Sequence, residues 1–351
     1  MGVRAEHRTA ARERRRRLLA VAVAIAVVAV AFALALPRIA GYGPVWNVLR
    51  RLTWPWILAL CAASVANILT FAPPWMVTLP RLGFVKALSM TQASTAFSSV
   101  APGGAPVGMA ASFAVLRSWG FGGRQVGLAV TLTGIWNQLS VFAFPIVAVA
   151  LLALEGSGFR PLALLAFAGV TVFVVIVVGT TALLARPRLA YRAGELAASF
   201  ASWLNRVRHR EPPAWGGEAL LGFRTEALTL LRRRWLALTV ATLVNQLTGY
   251  LVFDLSLRAV GITRGEVSVV ESFAAWSVGR LLVSLPLTPG GIGLVELGLA
   301  GTLVGFGGRN AEVVAGVLVY RALSVIPTLV FGLVVAATWR LHATSASPRR
   351  S

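Results

Sequence analysis

The sequence predicts an all-α polytopic membrane protein, with about six full spans and two Pro-Gly-Gly-broken re-entrant helix pairs in an inverted repeat. Three observations carry this reading. Of 351 residues, 57% are hydrophobic and only 13% charged, against about 25% charged in a soluble domain. Apolar runs long enough to cross a bilayer recur along the chain. A set of short motifs also occurs twice, in the same order.

The remaining composition excludes several function classes. The net charge is +21, from 33 Lys+Arg against 12 Asp+Glu. On a soluble chain this would suggest nucleic acid; on a chain this apolar it is an orientation signal, and no nucleic-acid partner is expected. The single cysteine, Cys61, allows neither an intramolecular disulfide nor a multi-cysteine metal site. His7, His209 and His342 lie in basic polar segments, away from any intramembrane metal or haem. The only lysine, Lys86, follows no glycine-rich loop, and no G-x-S-x-G element occurs. No cofactor, metal, catalytic constellation or enzymatic activity is therefore expected.

Residues 1–17 form a basic tail ending in Arg14–Arg17. Leu18–Leu36 is apolar and ends near Ala33-Leu-Ala35, but it exceeds the roughly 7–15 residues of a signal-peptide core. Residues 18–53 are read as a first span and external loop. Further apolar stretches run over Trp54–Leu79, Val126–Leu154, Pro161–Ala185, Trp235–Leu257 and Glu312–Trp339. Each can cross about 30 Å of hydrocarbon. The organisation expected is repeat 1 at 54–152, a connecting span at 153–185, a basic loop at 186–234, repeat 2 at 235–339 and a tail at 340–351. In the loop, Leu196, Phe200, Trp203, Leu204 and Val207 share one helical face, with Arg206, Arg208 and Arg210 elsewhere. This suits an amphipathic helix on an anionic leaflet surface; a solvated linker is the alternative.

The repeat rests on five ordered landmarks. Asn67-Ile-Leu-Thr70 matches Asn245-Gln-Leu-Thr248, and Gly83 matches Gly261. Pro102-Gly103-Gly104 matches Pro289-Gly290-Gly291. Gly120-Phe-Gly-Gly-Arg124 matches Gly305-Phe-Gly-Gly-Arg309, and Leu139-Ser-Val141 with Pro145 matches Leu323-Ser-Val325 with Pro327. If each broken region (86–119 and 268–304) enters and leaves on one side, 24 basic residues fall on the cytoplasmic side with both termini, and 7 outside. The repeats then have opposite orientation, and their breaks enter from opposite faces, as in many secondary transporters.

Candidate substrate-binding residues follow from cost. Proline lacks an N–H and glycine permits close approach, so Pro102, Gly103, Gly104, Pro289, Gly290 and Gly291 free backbone groups for a ligand, or form tight turns. Ionisable groups at membrane depth are functional candidates by default: Glu296, Glu271, Arg280 and Arg321. Arg280 or Arg321 can neutralise Glu296, and an arginine can fork onto a lipid phosphate. Asn67 and Asn245 suit interhelical hydrogen bonds first and cavity lining second. Asp254 beside Arg258 is read as snorkelling at a helix end.

Thr288-Pro-Gly-Gly-Ile-Gly-Leu-Val-Glu296, followed by Gly305 and Arg321, resembles the signature of the lysylphosphatidylglycerol synthase transmembrane-region family. Ala101-Pro-Gly-Gly104 with Gly120 is similar to an earlier copy, as are the stretches around Asn67 and Trp136-Asn-Gln138. The resemblance covers about residues 50–340. It implies a flippase-like bacterial cytoplasmic-membrane protein handling a membrane phospholipid or lipid-linked substrate. The chain ends 12 residues after Trp339, so a stand-alone member without the aminoacyl-transferase domain is expected. Repeat 1 departs from the pattern with Met109 where repeat 2 has Glu296, which puts a symmetric site in doubt. The alternative is an accessory subunit or enzyme of lipid or glycolipid modification, working with a separate synthase or transferase.

Overall fold

The computed structural model describes residues 42–100, 104–156, 160–207, 216–284, 291 and 293–343. Within them the chain is helical and contains no strand. In order, the helices are α1 (Tyr42–Leu49), α2 (Trp54–Leu69), α3 (Pro73–Thr78), α4 (Phe84–Val100), α5 (Ala105–Ser118) and α6 (Gly123–Leu154). They continue as α7 (Arg160–Ala185), α8 (Pro187–Val207), α9 (Gly217–Ala259), α10 (Val269–Ser284), α11 (Leu294–Gly305) and α12 (Asn310–Ala343).

Four segments are long and apolar enough to cross a membrane: Trp54–Thr78, Gly123–Leu154, Gly217–Ala259 and Asn310–Gly332. The bent pair Gly169–Ala185 and Pro187–Trp203, at 109°, makes five if it forms one span. The expected spans other than the first each have a helical counterpart; Leu18–Leu36 lies outside the described residues.

Two boundaries differ from expectation. The stretch beginning at Trp54 is not a single helix: α2 ends at Leu69 and α3 restarts on Pro73-Pro74, which occupy the first turn where no intrahelical N–H is needed. The basic loop is also shorter than 186–234. Residues 217–234 continue directly into the span, so α9 has 43 residues, about 64 Å at 1.5 Å per residue and twice the hydrocarbon thickness.

The broken regions form helices too short to serve as ordinary spans. α4 and α5 have 17 and 14 residues, α10 and α11 have 16 and 12. Each pair folds back on itself. A Cβ on Gly108 of α5 would sit 2.9 Å from the Ser94 carbonyl oxygen of α4, and one on Gly279 of α10 would meet the Leu299 side chain of α11 at 2.7 Å. The last glycine of each Pro-Gly-Gly is left-handed, with φ of 54° at Gly104 and 69° at Gly291, a conformation costly for any residue with a Cβ.

The chain divides into two compact units. The first comprises Met1–Val65, Gln92–Ala111 and Gly249–Ser351; the second comprises Ala66–Thr91 and Ser112–Thr248. In the first, α12 packs on α1 and α11. It also accepts a hydrogen bond from Ser64 Oγ to the Leu323 carbonyl oxygen (3.0 Å), and Gly332 lies against Ala96 and the Gln92 backbone of α4. The core here includes Phe253, Leu257, Trp276, Leu299 and Leu303, all buried. The helix ends flanking both breaks belong to this unit.

In the second unit, α6 packs on α7 and α3. Leu128, Leu132, Ala227 and Leu238 form a core cluster joined by Trp136, whose Nε1 donates to Thr239 Oγ1 at 2.9 Å. The two matched Asn-x-Leu-Thr segments meet here. Asn67 Nδ2 donates to the Asn245 carbonyl oxygen (3.1 Å) and to Thr248 Oγ1 (3.0 Å). Asn245 Nδ2 donates to Thr70 Oγ1 (3.2 Å), and the two threonine hydroxyls lie 3.0 Å apart. The asparagine-to-threonine bonds are reciprocal, the pattern of an approximate two-fold contact.

Interhelical bonds of this type contribute about 0.6–2 kcal/mol. Asn67→Ala and Asn245→Ala should therefore be non-additive by about 0.5–2 kcal/mol when combined in a double-mutant cycle, read by thermal unfolding in detergent.

Candidate functional site

A helix that begins inside an apolar medium exposes backbone N–H groups that water cannot reach. α11 begins directly after the second break, with Val295 and Glu296 of its first turn buried. Its third residue is Glu296, and Oε2 reaches back to accept the Gly293 backbone N–H at 2.7 Å. This is the acidic half of a capping box. The other oxygen, Oε1, accepts Arg321 Nε of α12 at 2.6 Å. Glu296 is 4% exposed and Arg321 6%. A lone charge so buried would neutralise or carry a heavy desolvation cost, so the pair is what allows both groups to stay inside. Of the two partners the sequence offered for Glu296, the structure uses Arg321.

Arg280 is placed differently. It sits in the last turn but one of α10, with its guanidinium carbon 5.9 Å from the Trp276 ring centroid. Its Nε is buried and has no hydrogen-bond partner. No ion pair to it occurs among the described residues. The cation–π contact offers about 1–2 kcal/mol in a desolvated setting, less than a carboxylate would. A second unmet polar group lies on α4: Gln92 is fully buried, and neither its Nε2 nor its Oε1 has a partner. Gln92 stands ten residues before Pro102 and Arg280 nine before Pro289, so the repeats offer near-equivalent positions.

The other candidates have local structural partners. Glu271 closes a complete capping box at the start of α10: Oε2 accepts the Ser268 N–H (2.7 Å), and Ser268 Oγ accepts the Glu271 N–H (3.1 Å). Asn67 and Asn245 bond to each other's segments as described above. Of the two breaks, Gly104 and Gly291 are described; Pro102, Gly103, Pro289 and Gly290 lie outside the described residues. The structure thus brings Glu296 to Arg321, keeps Arg280 on the same hairpin as Glu296, and places Glu271 at that hairpin's opposite end.

One buried network was missed from sequence. Asp254 pairs with Arg258 at 2.8 Å, with side chains only 13% and 10% exposed, so snorkelling does not describe them. Arg258 Nη1 also donates to the Val267 carbonyl oxygen (2.9 Å), Ser272 Oγ donates to Asp254 Oδ1 (2.9 Å), and the Tyr250 hydroxyl lies 2.8 Å from Ser272 Oγ. The i,i+4 spacing of Asp254 and Arg258 was the available signal; nothing marked Tyr250 or Ser272.

A model of the lysylphosphatidylglycerol synthase TM region matches residues 19–332. The chain belongs to that family. A search of curated proteins finds no match. Family membership and the apolar helices together make this a multi-pass membrane protein in a lipid-handling context. Within this lysylphosphatidylglycerol synthase TM-region protein, the Pro-Gly-Gly-x-Gly-x-x-Glu run now has a physical reading: a left-handed glycine breaks the helix, and the glutamate caps the next one.

Removing one partner of a buried ion pair costs about 3–5 kcal/mol. Glu296→Gln and Arg321→Met should each destabilise the detergent-solubilised protein by that order. The double variant should recover much of the loss, since no buried charge is then stranded. Equal and additive losses in a thermal-unfolding cycle would show that the pair is not coupled.

Proposed function

We propose that this protein binds a lipid or lipid-linked headgroup and moves it between leaflets, without nucleotide hydrolysis. The observation that carries the reading is Arg280: a buried guanidinium nitrogen without a partner, on a broken hairpin whose neighbouring charges are already satisfied. Arg280 supplies the cation for an acidic headgroup, with Gln92 as an amide donor from the equivalent arm. Glu296 and Arg321 fix the start of α11 after the break, and Gly104 and Gly291 would allow a headgroup close to the backbone. Acyl chains stay in lipid.

Two further points support this reading. The helix ends flanking both breaks belong to one unit. The contact between the Asn67 and Asn245 segments is consistent with two repeats related by a pseudo-two-fold axis. The orientation proposed with this is a bacterial cytoplasmic membrane with both termini inside, from the arginine bias.

In proteoliposomes carrying fluorescent phospholipids or glycolipids, the protein should accelerate exchange between leaflets over protein-free vesicles. Arg280→Gln should slow it at least about tenfold, the loss of roughly one charge-assisted hydrogen bond. Arg309→Gln, an exposed arginine paired with Glu266 and Glu312, should leave it unchanged. Failure to accelerate any labelled lipid would count against transport.

A further inference from the structure

α8 leaves the chain's fourth predicted span at a steep angle and is built with two opposed faces. One face is occupied. Ala190 is buried, and a Cβ on Gly194 would sit 2.8 Å from Gly217 Cα at the start of α9. Tyr191 lies against the same glycine. Glu195 Oε1 accepts the Gly217 N–H at 2.7 Å, so the only acid in α8 is spent capping α9. At 100° per residue, Leu196, Phe200 and Trp203 project from the side away from Ala190 and Gly194. They are 71%, 65% and 55% exposed, and the Phe200 and Trp203 rings stack at 5.7 Å. Arg188, Arg192 and Arg206 lie on the flank between, all exposed.

We infer that α8 is a membrane-surface helix that docks on an anionic leaflet, with Leu196, Phe200 and Trp203 in the acyl boundary and Arg188, Arg192 and Arg206 at the phosphates. Two observations select this occupant. The first is continuity: α7 exposes Phe167, Val175 and Val178, as a lipid-facing span does, and a turn of 109° at Arg186 sends α8 close to the plane in which α7 leaves the bilayer. The second is charge: with Glu195 committed, the flank of the apolar face is purely basic, complementary to anionic headgroups and adverse to a second identical face. The clamp on α9 fixes the rotation of the helix, so the apolar side cannot roll inward.

The test uses the full chain with Cys61→Ser, reconstituted in phosphatidylcholine vesicles with or without phosphatidylglycerol. A polarity-sensitive fluorophore is attached to Phe200→Cys or, as the α9-facing control, Ala198→Cys. Brominated acyl chains should quench the label at position 200 and not that at 198. The quenching should fall several-fold when phosphatidylglycerol is omitted, when ionic strength is raised, or when Arg188, Arg192 and Arg206 are changed to Gln. A water-like, unquenched label at 200 would overturn the proposal in favour of a solvated linker. A blue-shifted but unquenched label would overturn it in favour of protein packing. Quenching indifferent to lipid charge, salt and the three arginines would refute the anionic-leaflet assignment.

Discussion

A helix interrupted within hydrocarbon must satisfy the backbone it frees, and the Glu296 carboxylate does this for the second break. One oxygen caps α11 and the other holds Arg321. The order of dependence follows from this. The left-handed Gly291 makes the turn, the turn exposes N–H groups, and a Glu296 oxygen accepts one of them. The buried side chain that caps is in turn paired with an arginine on a neighbouring helix. α12 supplies it and also contacts α1, α2 and α4, so this charged pair joins the packing of α11 on α12 and the Ser272 bond to Asp254 in tying the hairpin to its unit. Replacing Glu296 with an apolar residue would not merely delete a charge; it would remove the partner of two buried donors at once.

The two halves of the chain use the same motifs to different ends. The Asn-x-Leu-Thr segments bond to each other and behave as a symmetric joint. The breaks do not match in charge: Met109 stands where repeat 2 has Glu296, and Gln92 stands one residue from the place of Arg280. In the proposed function, the charged hairpin supplies the anion-binding group and the neutral one an amide. On that proposal the asymmetry would give a headgroup one strong electrostatic anchor rather than two.

Much of this was legible in the sequence. The apolar runs, the breaks and the repeat follow from patterning, and Glu296, Arg321 and Arg280 stand out because charges are rare at membrane depth. Which arginine meets Glu296 depends on tertiary packing, and sequence left both open. The same rarity argument marks Glu271, whose role is local: Ser268-x-x-Glu271 is a capping box, a spacing visible in the sequence. The continuation of α9 through residues 217–234 was hidden by its arginines, which read as a loop although arginine favours helix. The Asp254 network was hidden for another reason. An i,i+4 pair near a helix end looks alike whether it snorkels or is covered, and only the packing of α10 over it decides.

The central proposal is that an acidic ligand supplies the anion for Arg280, whose Nε has no partner among the described residues. Native mass spectrometry of lipids retained by the purified full chain tests this most directly. The account predicts a co-purifying acidic lipid on the unsubstituted protein and on Arg309→Gln, absent from a folded Arg280→Gln variant. The same retained lipids in all three proteins would contradict it.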